Sequence, residues 1–122
     1  MGKTTIPSKA DSVVEVGTEG IWTYRKWNSG IAECWGTVNV ASRTYAANGG
    51  YYNVGFTYPP NLFNNSPTCV EVSGGLTSTV NTDIGFTGNN NASSGQTYLI
   101  NRNSGAVTAT GWVFVHVIGR WK

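Results

Sequence analysis

The stretch Trp112 to Ile118 carries apolar side chains on both of its faces. Val113, Val115 and Val117 form one set, and Trp112, Phe114, His116 and Ile118 form the other. Successive side chains of a strand point to opposite sides. A half-buried antiparallel strand is usually apolar on one side only. Both faces of this strand need cover. A sandwich interior can cover one; the other must meet a loop, a second sheet or another subunit.

The rest of the chain reads as strands separated by turn chemistry, with no window of helical period and no internal repeat. Ser12–Val16 is a first short strand, ended by Gly17 and Gly20. Ile21–Trp27 and Ile31–Tyr45, joined by Asn28-Ser29-Gly30, read as a hairpin, with an interruption expected near Ala41-Ser42. Tyr51–Tyr58 follows the turn Asn48-Gly49-Gly50 and ends at Pro59-Pro60, because proline cannot donate to a ladder. Asn61–Pro67 reads as loop. Thr68–Ser73 is a strand closed by Gly74-Gly75, and Thr77–Thr87 another, with Val80, Thr82, Ile84 and Phe86 on one face. Gly88–Gly95 is loop chemistry throughout. Gln96–Asn101 and Ala106–Ile118 complete the chain, with Gly111 as a candidate kink. About eight strands with regular turn signals predict an all-β fold, an antiparallel, jelly-roll-like β-sandwich. Strand order stays open.

A chain of 122 residues is the size of one domain. Residues 12–122 are expected to form the sandwich, with 1–11 as a polar leader or linker. Only 11% of residues are charged, and five Trp, six Tyr and four Phe argue for a packed core rather than disorder. The net charge is +2, and the basic residues are scattered, so no nucleic-acid footprint appears. Arg25-Lys26 among Trp22, Tyr24 and Trp27 could suit a single-strand binder, but two charges on the wet part of a strand explain it more simply. No apolar run approaches the ~20 residues of a membrane span, so no membrane insertion is expected. The N-terminus lacks the apolar segment of a signal peptide.

Cys34 and Cys69 are too few for a paired-cysteine zinc site. Cys34 shares the small apolar face of Ala32, Gly36, Val38 and Val40, whereas Cys69 shares a face with Glu71. One therefore points in and the other out, and two free thiols are expected.

Catalytic chemistry has little to work with. His116 is the only histidine and sits in the middle of a strand, so it reads as structural. Glu33 and Glu71 could meet across a sheet face, but nothing marks them as a glycosidase pair. No phosphate-binding glycine pattern occurs. The Asn-rich loop has no carboxylate, so calcium is discounted. No cofactor, no metal and no enzymatic activity are expected. Binding by a sandwich falls on loops held by the scaffold. The candidate ligand contacts are Tyr51, Tyr52, Asn64, Asn65, Asn89, Asn90 and Asn91. In the Tyr51-Tyr52 pair, alternation puts at least one ring outside the core.

Two segments carry a resemblance. Gly20-Ile-Trp-Thr-Tyr-Arg-Lys-Trp-Asn-Ser-Gly-Ile-Ala-Glu-Cys-Trp-Gly36 resembles a segment of the C-terminal domains of tail-fibre and baseplate proteins from phages of Gram-positive hosts. The ending Val113-Phe-Val-His-Val-Ile-Gly-Arg-Trp-Lys122 resembles their final strand. The resemblance implies a receptor-binding head domain on a virion, assembled in the host cytoplasm and often trimeric. It implies cell-wall polysaccharide or teichoic acid as receptor. It would also account for free thiols, since the cytosol is reducing. Trp22, Trp27, Trp35 and His116 then read as scaffold, and Trp112, Phe114, His116 and Ile118 as the place where three copies meet. The alternatives are a carbohydrate-binding module of an enzyme, a virion hydrolase, and a purely structural fibre or decoration domain.

Overall fold

The computed structural model describes residues 11–77, 81–86 and 91–122. Eight strands follow one another: β1 (Val13–Glu19), β2 (Trp22–Trp27), β3 (Ile31–Tyr45), β4 (Tyr51–Thr57), β5 (Cys69–Leu76), β6 (Thr82–Phe86), β7 (Ser94–Asn101) and β8 (Val107–Arg120). They form a five-stranded sheet in the order β1-β2-β3-β8-β5 and a three-stranded sheet in the order β4-β7-β6. Every ladder is antiparallel. The molecule is the all-β antiparallel sandwich that alternation predicts, with its strands divided five and three.

The β3–β8 ladder is the spine. It runs from Ile31 opposite Arg120 to Tyr45 opposite Val107, and its register shifts between Val40 and Arg43. Ala41 and Ser42, where an interruption was expected, are the bulge that absorbs the shift. No kink is needed at Gly111, which pairs with Val40 on one side and Leu76 on the other. Its missing Cβ leaves room for the Leu99 side chain, which would otherwise lie 2.7 Å away. The Gly74-Gly75 pair was expected to close β5. It lies inside the strand instead, opposite Val113 and Trp112. Gly74 has φ +151° and sits hard against the Trp112 carbonyl, a position closed to any side chain. β7 begins at Ser94, earlier than expected, because Ser94 pairs with Thr57. Val80, Thr87 and Gly88–Asn90 lie outside the described residues, as does the leader up to residue 10.

The core lies between the sheets. Val113, Val115 and Val117 are fully buried, each worth roughly 1.5–3 kcal/mol of apolar burial. Cys34, Ala32 and Trp22 join them from the same sheet, and Val54, Phe56, Tyr58 and Leu99 from the other. Trp22 meets Phe56 and Tyr58 edge-on, with ring centroids 6.2 Å and 5.8 Å apart. Its indole N–H donates to the Thr57 carbonyl at 2.6 Å, tying β2 to the edge of the small sheet. Both thiols are free, Cys34 buried and Cys69 half-buried, and burial pushes the Cys34 thiol up to about 12.

One polar residue inside this core joins two turns. Asn101 is fully buried. Its amide donates to the carbonyls of Tyr45 at 3.3 Å, Ala46 at 3.1 Å and Gly105 at 3.0 Å. Its oxygen accepts from the Asn103 backbone at 3.0 Å and the Asn103 side chain at 2.7 Å. The β3–β4 and β7–β8 connections are thereby held to one another. Asn101→Asp keeps the shape and removes the donors, leaving carbonyls facing a buried charge. Urea unfolding is expected to show a loss of about 3 kcal/mol; a loss below about 0.5 kcal/mol would mean the clamp contributes nothing.

Candidate functional site

Directly paired residues of an antiparallel ladder share a face, so the registers map the outer face of the large sheet. β8 contributes Trp112, Phe114, His116 and Ile118, flanked by Asn39, Thr37, Trp35 and Glu33 on β3. Gly75, Ser73, Glu71 and Cys69 flank them on β5. Arg25 lies opposite Glu33 on β2, and Val16 opposite Arg25 on β1. Trp112 and Phe114 are 41% and 37% exposed, and Val13 and Val16 are exposed on the same face. Among the described residues, therefore, nothing covers Trp112 and Phe114 on the second apolar face of β8.

A charged cluster sits in this surface. The Glu33 side chain is 11% exposed. One oxygen accepts a close bond from the Arg25 guanidinium, and the other lies 2.9 Å from His116 Nε2. His116 Nδ1 lies 3.7 Å from the Glu71 carboxylate, so the histidine stands between two acids. Arg25 stacks between Trp27 and Trp35, its guanidinium 5.4 Å and 5.2 Å from the ring centroids. Trp35 in turn meets His116 edge-on at 6.2 Å. Arg25, Glu33, Trp35, Phe114 and His116 line a shallow depression of about 210 Å³. Burial alone would push the Glu33 carboxyl up. The hydrogen bonds from His116 and Arg25, together with their charge, outweigh it and hold the group below the usual carboxylate range.

That electrostatic setting bears on the chemistry. A glycosidase general acid needs a raised pKa and a free proton to deliver. Glu33 has the opposite shift, and its oxygens are already engaged. Glu33 and Glu71 do share a face, but the His116 ring stands between them, 2.9 Å from the Glu33 carboxylate and 3.7 Å from that of Glu71. Among the described residues, no group of three or more His, Cys, Asp or Glu side chains could hold a metal ion.

The candidate ligand contacts are scattered. Tyr51 is 65% exposed and meets the Tyr98 ring at 5.0 Å. Tyr52 points the other way, packs on the core, and has the Arg43 guanidinium 3.6 Å above its ring. Asn64 and Asn65 are exposed in the loop after β4. The Asn64 N–H donates to the Arg120 carbonyl at 2.8 Å, and the Asn65 side chain accepts from Ser66 at 2.9 Å. The Asn91 side chain accepts from the backbones of Ser93 and Ser94 at 2.8 and 3.0 Å, forming the turn into β7. Asn89 and Asn90 lie outside the described residues. Tyr51 starts β4, whereas Asn91 adjoins its far end through the Tyr58–Ser93 backbone bond. Seven strand residues, roughly 20 Å of chain, separate the two ends, so these residues form no single patch. Sequence reading left Arg25 and Glu33 unpaired. Their signal was the short hairpin loop, which sets them opposite each other.

No protein-family model matches the chain, and no curated protein matches it. Solved structures do. An N-truncated R1-type pyocin tail fibre superposes with a TM-score of 0.61 at 15% identity, over 93% of this chain and 86% of that one. A C-terminal portion of the P. aeruginosa R1 pyocin fibre gives 0.60 at 16% identity, covering 93% of this chain and 28% of that one. The two-sheet fold is thus shared with pyocin tail fibres.

The Glu33 cluster generates a pH signature. The carboxyl is depressed in the folded state, so its contribution is complete above the ordinary glutamate value of ~4.3 and is lost as pH falls through the folded value. Glu33→Gln is expected to cost about 1–2 kcal/mol at neutral pH in urea unfolding. The gap between the two proteins should close as the pH is lowered towards about 3. A gap independent of pH would show that the cluster acts through packing alone.

Proposed function

We propose that this chain is a non-enzymatic fibre domain of a phage or phage-tail-like particle, acting as a homotrimer that recognises saccharide on a host surface. The observation that carries the reading is the outer face of the large sheet, which none of the described residues covers. Trp112, Phe114, Val13 and Val16 are exposed there around a well-organised charged cluster. Exposed apolar patches of this kind mark interaction surfaces, and copies of one chain arranged about a rotation axis can close on themselves. The fold shared with R1 pyocin tail fibres over 93% of the chain supports the assignment to a fibre. The resemblance of Gly20–Gly36 and Val113–Lys122 to phage tail domains points the same way. On this reading, Trp112, Phe114, His116 and Ile118 meet their counterparts near the axis, and the remainder of the fibre is the other structural partner. The receptor class is cell-wall polysaccharide or teichoic acid, with exposed Tyr51, Asn64 and Asn65 as candidate contacts.

A carbohydrate-binding module working as a monomer would present its aromatics as a flat row. Tyr51 and Tyr98 instead meet at 68°, which makes a corner rather than a platform.

Light scattering after gel filtration, at tens of micromolar, tests the assembly. The expected result is a trimer. The double variant Trp112→Glu, Phe114→Glu is expected to run as a monomer with an unchanged circular dichroism spectrum, because both side chains point away from the core. A monomeric wild-type protein would overturn the trimer and leave the fold untouched.

A further inference from the structure

The receptor contacts above are separate points on the surface, but the molecule does contain a cleft. It lies where the β1–β2 turn overhangs β4, the edge strand of the small sheet. Its volume is about 410 Å³, within the ~300–1,000 Å³ usual for ligand clefts. Glu19, Gly20 and Ile21 line it from the turn, and Gly55, Thr57 and Pro60 from the opposite side. Ile21 is 48% exposed here, although it belongs to the hairpin that ties the layers together.

Gly55 is the telling residue. Glycine inside a strand weakens it and commonly marks a close approach of a ligand or another backbone. Most strand glycines of this protein have an internal reason. Gly17 makes room for the Tyr24 ring, Gly36 for the Ile21 carbonyl, Gly85 for Tyr98 and Ile100, and Gly119 for Phe63. Gly55 has none: it is exposed, and a Cβ built on it would meet nothing within 4 Å. Nor does its backbone adopt a positive φ. Among the described residues, nothing in the chain accounts for the bare position.

We propose that this cleft is a subsite for a neutral saccharide, which lies along the β4 edge with Gly55 as its point of closest approach. This rests on the saccharide reading above and assigns it a place. Backbone groups two residues apart on a strand point the same way, so the N–H and C=O of Gly55 share the outward direction of the Thr57 carbonyl. They supply a donor and an acceptor for hydroxyl groups. The Glu19 carboxylate and the Thr57 hydroxyl add polar contacts, while Ile21 and Pro60 offer apolar surface to sugar C–H faces. Glu19 is the one charged side chain in the lining, which disfavours an anionic ligand. An added peptide strand fits less well. It needs a continuous row of edge acceptors, and Trp22 already occupies the Thr57 carbonyl at 2.6 Å.

A printed array of bacterial surface glycans, probed with the whole protein, tests the assignment. Gly55→Thr fills the bare position with a good strand former, so the melting temperature should hold or rise. Ile21→Glu, at an exposed site, is the second variant in case the first fails to fold. Gly105→Thr is the control, since Gly105 is also exposed and equally unhindered but lies in the β7–β8 turn. The expected result is wild-type binding to at least one neutral glycan. Both cleft variants should lose at least tenfold, with the control unchanged and the oligomeric state intact. Binding that survives Gly55→Thr and Ile21→Glu overturns the cleft and leaves saccharide recognition standing. A wild-type protein that binds no glycan overturns both. A change in oligomeric state on Gly55→Thr would make the cleft a contact between subunits and overturn the subsite.

Discussion

The β3–β8 ladder dictates the rest of the structure. It is the longest pairing in the molecule, and β8 lies inside the sheet with β5 on its other side. Once Val113, Val115 and Val117 face the core, the pleat leaves no choice for their neighbours. Trp112, Phe114, His116 and Ile118 must face outward. A slip of one residue would exchange the two sets and bury a histidine. The apolar outer face is therefore a consequence of register.

The same ladder places the charges. With Glu33 opposite Ile118 and Trp35 opposite His116, the glutamate reaches diagonally to the imidazole and laterally to Arg25. Glu33, Arg25 and His116 thus come from three neighbouring strands and are paired within one chain. Two aromatic rings hold the guanidinium, which lowers the entropy lost when it is ordered. Such an arrangement does not suit a general acid. The Glu33 carboxylate is already paired with Arg25 and His116, whereas a general acid must hold its proton until substrate arrives.

Much of this was legible from alternation and turn residues. The hairpin, the bulge at Ala41-Ser42, the opposed thiols and the two faces of β8 all follow from period-two patterning, because each depends on neighbours in sequence. Strand order and the five-to-three division do not, since they depend on which edges meet after collapse. Gly74-Gly75 misled for a related reason. Paired glycines usually mark a turn, but here Gly74 is needed mid-strand because the Trp112 backbone of the neighbouring strand comes too close for a side chain. Asn101 was invisible as well. An asparagine at a strand end before a turn is ordinary, and its five hydrogen bonds exist only once two distant turns are brought together.

The site was less legible than the fold, and Tyr51-Tyr52 shows why. Parity correctly put one ring out and one in, yet exposure of a single ring does not make a binding surface. A surface needs convergence, and convergence is set by the packing of the two sheets. The cleft beside Gly55 arises because the β1–β2 hairpin extends the large sheet beyond the edge of the small one. The unequal strand count leaves an overhang at the β4 edge, whereas the apolar outer face of β8 follows from register. The two surfaces therefore have separate origins, one in register and one in strand count.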